Sequence, residues 1–245
     1  MRWILPGVNY VYRYMSHKLD AFQAFGEVNG RLPHSIVKPV ATYSPWRADR
    51  EFQEVWSLIH KNTLVDVYRC YELWQLVEES KKLDGDILEV GVWRGGTGCL
   101  IARRAKPITV WLCDTFEGVV KAGSKDRHYS GGEHSDTSEQ KVRELAAALG
   151  VDNIQILVGT FPDQTSDKLT GRRFRMCHID VDVHDSAAAI LEWVWPKLIP
   201  GGFVVFDDFG ALSTGGITEL VERNRSRSDA LVIHNLNGHA IMARR

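Results

Sequence analysis

The chain has 245 residues, enough to bury a substantial core in one domain with a decorated terminus. A hydrophobic content of 44% with 25% charged residues is that of an ordinary soluble globular protein. The formal charge of −1 excludes a global electrostatic drive onto nucleic acid or an anionic membrane, and no apolar run reaches bilayer-spanning length.

Residues 1–48 combine many aromatics (Trp3, Tyr10, Tyr12, Tyr14, Phe22, Phe25, Tyr43, Trp46) with breaks at Pro6, Pro33, Pro39 and Pro45. Aromatics in such density need a surface to pack on, so this segment reads as an arm on its own domain or on a second subunit, or as a flap over the active site. A homo-oligomer is therefore expected. MRWILPGV is too short an apolar run, and broken too soon by Pro6, to be a signal peptide. Cys70, Cys99, Cys113 and Cys177 lack C-x-x-C spacing and lie in apolar segments. They read as buried free thiols, which points to a reducing, cytoplasmic location.

From Asp49 onward a single domain, 49–245, is expected. Phe52, Val55, Trp56 and Ile59, then Val67, Cys70, Tyr71, Trp74 and Val77, recur at helical spacing. Asp84-Gly85-Asp86 turns the chain into Ile87, Leu88, Val90 and Val92, β-formers in a nearly continuous apolar block suited to a strand buried on both faces of a parallel sheet. Gly91, Gly95, Gly96 and Gly98 follow, and Thr97 to Lys106 can continue as a helix. A glycine turn at the carboxyl end of a strand is where open α/β sheets bind nucleotide-like ligands. The glycines do not fit G-x-G-x-x-G, and Glu89 puts a carboxylate where a phosphate cradle would want positive charge.

A second strand is expected over Thr109–Cys113, ending at Asp114, where an acid can hold ribose hydroxyls. Residues 119–139 are polar and glycine-containing, and read as a lid that brings His128, Tyr129 or His134 towards a substrate. A helix over Ser138–Leu149 capped by Gly150, strands over Asn153–Val158 and Phe174–Asp182, and a helix over Ser186–Leu198 follow. Pro200-Gly201-Gly202 then turns into FVVFDDFG. A helix from Gly215 to Arg223 and a closing hairpin around Asn237-Gly238 complete a mostly parallel, helix-flanked sheet.

HIDVDVHDS and VFDDFG carry the chemistry. If extended, His178, Asp180, Asp182 and His184 share one face. Aspartates inside an apolar strand are costly unless paired or metal-bound, and Asp207 and Asp208 end the next strand on the same sheet edge. Three converging carboxylates suit a hard divalent ion such as Mg²⁺ or Mn²⁺, with zinc through His178 and His184 as the rival.

ILEVGVWRGGTG, with NTLVDVYRCYELW, VWLCDTFEG, NIQILVGTF, HIDVDVHDS and WPKLIPGGFVVFDDFG in this order, resembles the TylF/MycF family of macrolide-sugar O-methyltransferases over roughly residues 60–225. The resemblance implies a class I methyltransferase, Rossmann-like fold with a mostly parallel seven-stranded sheet, using S-adenosylmethionine and Mg²⁺. It implies that Asp180, Asp207 and Asp208 hold the metal and that Asp182 is the general base. It implies a cofactor site of Glu89, Gly91, Val92, Trp93, Gly95, Thr97, Asp114, Thr115, Phe116, Gly159, Thr160, Phe161 and Asp180. His184 stands where the family is expected to carry tyrosine, and offers a second base. The implied reaction is methyl transfer to a sugar hydroxyl of a small-molecule glycoside. The rivals are a phenol or catechol acceptor, a non-catalytic S-adenosylmethionine-binding protein, and an iron-dependent hydroxylase.

Overall fold

The structure is a computed structural model that describes residues 43–245 and, before them, two short strands, Ala24–Phe25 and His34–Ser35. The chain divides into two compact units, Met1–Ala48 and Asp49–Arg245. In the first, Ala24 pairs with Ser35 and Phe25 with His34, antiparallel. The arm-or-flap reading of residues 1–48 otherwise falls outside the described residues.

The second unit is built on seven strands: β1 Asp86–Val90, β2 Val110–Asp114, β3 Ile154–Val158, β4 Phe174–Ile179, β5 Leu198–Phe206, β6 Ala230–His234 and β7 Ala240–Arg244. Their order is β3-β2-β1-β4-β5-β7-β6. The first five are parallel, and only β7, between β5 and β6, runs antiparallel to its neighbours. The strand order reverses at β1 and β4, which places their carboxyl ends at the topological switch point where such sheets bind ligands.

Side-chain alternation sends the two faces of β1 into different layers. Leu88 and Val90 join Cys177, Ile179, Val204 and Phe206 in a core covered by Ile190 and Val194 of α5 (His184–Val194) and Ile217 and Leu220 of α6 (Gly215–Asn224). The opposite face carries Glu89 and Leu112 against α3 (Gly96–Ala105), where a Cβ on Gly98 would strike both. α3 packs in turn on α1 (Arg50–Ile59), α2 (Val67–Ser80) and α4 (Glu139–Ala148). Asp49 and Asp66 cap α1 and α2 with their carboxylates, as acceptors for the free amides of a first turn. All four cysteines are buried free thiols. No helix among the described residues is long and apolar enough to cross a membrane.

Two boundaries differ from the expectation, and both bear on the site. β4 stops at Ile179 instead of Asp182, because the chain leaves the sheet there: Asp182 lies in the left-handed region at φ 63° and α5 starts at His184. His178, Asp180, Asp182 and His184 therefore do not form one strand face. Pro200-Gly201-Gly202 lies within β5 instead of preceding it, at a register shift that lets the strand begin at Leu198.

Candidate active site

The glycine turn after β1 requires glycine at its first position. Gly91 has φ 90°, and a Cβ there would sit 1.6 Å from the Asp180 carbonyl oxygen. Gly91→Ala is expected to destabilise the domain by at least about 2 kcal/mol, through left-handed strain and overpacking, and to lower its denaturant midpoint accordingly. Gly95, at φ 86°, precedes the first turn of α3 and packs against Val142. Asp114, at the end of β2, closes the turn: its Oδ2 accepts from the Val92 and Trp93 amides at 2.7 and 2.8 Å, and its Oδ1 from Phe116 N at 2.7 Å. A carboxylate has about four acceptor positions, so one remains for a ligand hydroxyl.

This turn roofs a cavity of about 300 Å³. Gly91, Val92, Trp93, Thr97, Asp114 and Thr115 line one part, and Gly159, Thr160, Phe161 and Asp180 another. Three of the expected cofactor residues do not reach it. Glu89 points to the opposite face of β1, fully buried, with Oε1 2.9 Å from His178 Nδ1. Gly95 and Phe116 shape the backbone beside the cavity without lining it.

The carboxylates gather at the same edge. Asp180 N donates to Val90 O at 3.0 Å and Asp207 N to Ile179 O at 3.1 Å, so each adds one rung beyond its strand and the two come side by side. Asp180, Asp207 and Asp208 each offer an oxygen, and these lie within 4.8 Å of one another. Burial first, and then the facing carboxylates, push Asp180 and Asp208 well above the usual carboxylate range. Burial acts on Asp207 too, but His178, His239 and Arg69 outweigh it and hold that group far below the usual range. Crowded carboxylates of this kind are relieved by a cation, and an all-oxygen donor set suits a hard one. The residues present fit a hard dication.

Asp182 lines the cavity as well. Tyr129 OH donates to its Oδ1 at 2.6 Å, and His134 Nε2 lies 3.9 Å from Oδ2. Burial raises the Asp182 carboxyl above its ordinary value, although the Tyr129 hydrogen bond opposes that shift. Trp93, His134 and Asp182 all have positive φ, so left-handed backbone at non-glycine residues concentrates around the cavity, as it does at functional sites.

The segment expected as a lid is a loop held by its own hydrogen bonds. Val119 N donates to Glu133 O and Gly132 N to Val119 O, closing it on itself. Asp126, almost fully buried, accepts from His184 N at 2.9 Å and Gly123 N at 3.1 Å. At the loop's far end Trp93 Nε1 donates to Asp136 at 2.8 Å, beside an Arg94–Asp136 ion pair. The loop brings Tyr129 and His134 to the cavity and leaves His128 exposed outside it.

His184 is corrected as a second base. Its ring is buried away from the cavity, with Nδ1 2.7 Å from Asp185 and Nε2 3.0 Å from Lys125. It starts a helix instead of continuing a strand, which turns the side chain from the carboxylate edge. The same displacement removes the zinc site of His178 and His184.

Three residues that sequence reasoning missed form a network on Asp207, two directly and one through His239. Arg69 of α2 pairs with its Oδ2, and His239, before β7, sits with Nε2 2.8 Å from its Oδ1. Glu72, one turn after Arg69, holds His239 Nδ1 at 2.6 Å. Burial would lower the His178 ring, but Asp207 and Glu89 outweigh it and raise it to about 10.

The chain is 32% identical over 164 residues to the Streptomyces olivaceus 8-demethyl-8-(2,3-dimethoxy-alpha-L-rhamnosyl)-tetracenomycin-C 4'-O-methyltransferase, covering 60% of this chain and 62% of that protein. It is 30% identical over 166 residues to the Micromonospora griseorubida mycinamicin III 3''-O-methyltransferase, covering 60% and 65%. The match thus spans less than two thirds of either relative. Among solved structures, the O-methyltransferase NovP superposes with a TM-score of 0.64 at 24% identity, over 75% of this chain and 82% of that one. The calicheamicin methyltransferase CalS11 gives 0.61 at 17%, over 83% and 94%. These likenesses show a class I, Rossmann-like methyltransferase fold. Residues 43–236 match the macrocin-O-methyltransferase (TylF) family, and the chain belongs to it.

Proposed function

We propose that this protein is a metal-dependent O-methyltransferase that moves the methyl group of S-adenosylmethionine to a sugar hydroxyl of a small-molecule glycoside. The observation that carries this reading is the meeting of Asp180, Asp207 and Asp208 at one sheet edge beside the cavity under the Gly91 turn. Relatives named for methylation of a rhamnosyl tetracenomycin and of mycinamicin III support a glycosylated acceptor.

When bound, S-adenosylmethionine supplies an electrophilic methyl on a cationic sulfur, and a dication held by Asp180, Asp207 and Asp208 supplies Lewis acidity that eases loss of the acceptor's proton. The chain's own residues orient and deprotonate. Gly91, Val92, Trp93 and Thr97 line the cofactor cavity, and Asp114 holds the turn amides while keeping one acceptor position for a ribose hydroxyl. Thr115, Gly159, Thr160 and Phe161 complete its wall. Asp182, with a carboxyl raised by burial and oriented by Tyr129, takes the hydroxyl proton as the oxygen–carbon bond forms and the carbon–sulfur pair leaves on sulfur. The loop over residues 119–139, which brings Val119, Val120, Tyr129 and His134 to the cavity, excludes water from that encounter. Cytoplasmic location and a homo-oligomer belong to the same proposal, on the buried free thiols and the aromatic residues 1–48.

The test is incubation of the full chain with S-adenosylmethionine, Mg²⁺ and a panel of rhamnosides, other glycosides, catechols and phenols, read by mass spectrometry. A gain of one methyl on a glycoside, lost in EDTA and restored by excess Mg²⁺, is expected. Undiminished turnover in chelator would remove the metal, and methylation confined to catechols would move the acceptor class.

A further inference from the structure

We propose that His178, His239 and Asp207 form a second metal site, suited to a divalent transition metal such as Zn²⁺ and joined to the carboxylate triad only through Asp207. The three offer ligand atoms within 4.8 Å of one another, and all are buried. His239 Nε2 lies 2.8 Å and His178 Nε2 3.7 Å from Asp207 Oδ1. Ligands of a tetrahedral zinc bound at about 2.0–2.1 Å stand about 3.3 Å apart, between those two separations. The two imidazoles meet edge to face with centroids 6.1 Å apart.

The outer contacts strengthen the case. Protein metal sites hold each ligating histidine by a carboxylate on its other nitrogen, which fixes the tautomer and aims the ring. Both rings have that partner here: Glu89 on His178 Nδ1 at 2.9 Å and Glu72 on His239 Nδ1 at 2.6 Å. With each Nδ1 committed outward, each Nε2 faces Asp207 Oδ1, and a bound ion takes the place of the protons between them. His178 Nε2 is buried without a hydrogen-bond partner, a cost that a bound cation removes.

Two imidazoles and one carboxylate select zinc, cobalt or iron(II) over Mg²⁺, which prefers oxygen ligands throughout. Of the three ligands only Asp207 lines a cavity, the 300 Å³ one and a neighbouring one of about 380 Å³ bounded by Asp208, His234 and Asn237, while the two histidines are buried behind it. Binding displaces any protons on the two Nε2 atoms to solvent. Because Asp207 serves both sites, a soft ion here competes for a ligand of the hard one. The site does not depend on the reaction proposed above.

Co²⁺ is the probe. Titration of the metal-free full chain is expected to give one equivalent of bound Co²⁺ with the intense visible d–d bands of a four- or five-coordinate nitrogen–oxygen site. Asp208→Asn should retain them, and His239→Asn should lose them while keeping the wild-type circular dichroism. Only weak octahedral absorption in the wild type, or bands that survive His239→Asn, would overturn the proposal and leave the histidines as supports for Asp207. If His239→Asn does not fold, X-ray absorption of zinc-loaded wild type decides: two imidazoles in the inner shell support the site, and oxygen ligands alone refute it.

Discussion

Asp182→Asn is expected to lower kcat by about 10²–10⁴-fold, the range that a positioned general base contributes, while S-adenosylmethionine affinity stays close to wild type. Asparagine is the informative replacement for three reasons. It tolerates the left-handed φ of 63° that alanine or leucine would strain. Its Oδ1 can still accept from Tyr129, so the loop contact at 2.6 Å survives. It cannot accept a proton near neutral pH, which is the one property under test. Asp182 lies outside the group of carboxylates close enough to share an ion, so the loss should appear with metal affinity unchanged. Isothermal titration with S-adenosylhomocysteine and with Mn²⁺, beside steady-state kinetics, separates these effects. An unchanged kcat would assign the proton to another group, and His184 could not replace Asp182, because its ring faces Asp185 and Lys125.

The parts of this fold legible in the sequence are those whose cause is local. Ile87, Leu88 and Val90 make a nearly continuous apolar run, Gly91 stands where only glycine fits, and Asn237-Gly238 marks the hairpin. These place β1, the turn and the antiparallel end of the sheet. The convergence of Asp180 with Asp207 and Asp208 was also readable, because parallel neighbours end on the same edge. Errors arose where tertiary geometry overrides a local pattern. The alternation of His178, Asp180, Asp182 and His184 reads as one strand, yet the chain must leave the sheet after Ile179 to begin α5, which turns His184 away. Glu89 sits in a ligand motif, but alternation along β1 sends it to the face opposite the cavity. Arg69, Glu72 and His239 carried no signal: they come from a helix and a hairpin more than 160 residues apart and meet only through the fold.

Hard-metal binding is expected to stabilise the protein more at neutral than at acidic pH, and Asp208→Asn is expected to abolish that gain. The sign follows from the carboxyls. Asp180 and Asp208 have folded values well above the ordinary 3.8, so both states are protonated below it and neither group affects stability there. As pH rises past 3.8 the unfolded chain ionises freely while the folded one resists, and stability falls until the folded groups ionise. Asp207 is shifted the other way; its contribution is present above 3.8 and is lost only in stronger acid, so it does not reverse the trend near neutrality. A dication that holds all three as carboxylates removes the neutral-pH penalty. Mg²⁺ or Mn²⁺ at a hundred times its Kd stabilises by about 2.7 kcal/mol, or about 5–10 °C in Tm for a chain of this size. Near pH 5 the gain should shrink, because protons compete for the same oxygens. Asp208→Asn removes one of the repelling carboxyls, so its ion-free form should melt above the ion-free wild type at neutral pH and no longer respond to metal. Thermal melts of both proteins, with and without Mn²⁺ at the two pH values, carry the test. A metal gain that Asp208→Asn leaves intact would place the ion elsewhere, and an ion-free variant no more stable than wild type would show that Asp180 and Asp208 do not strain the fold.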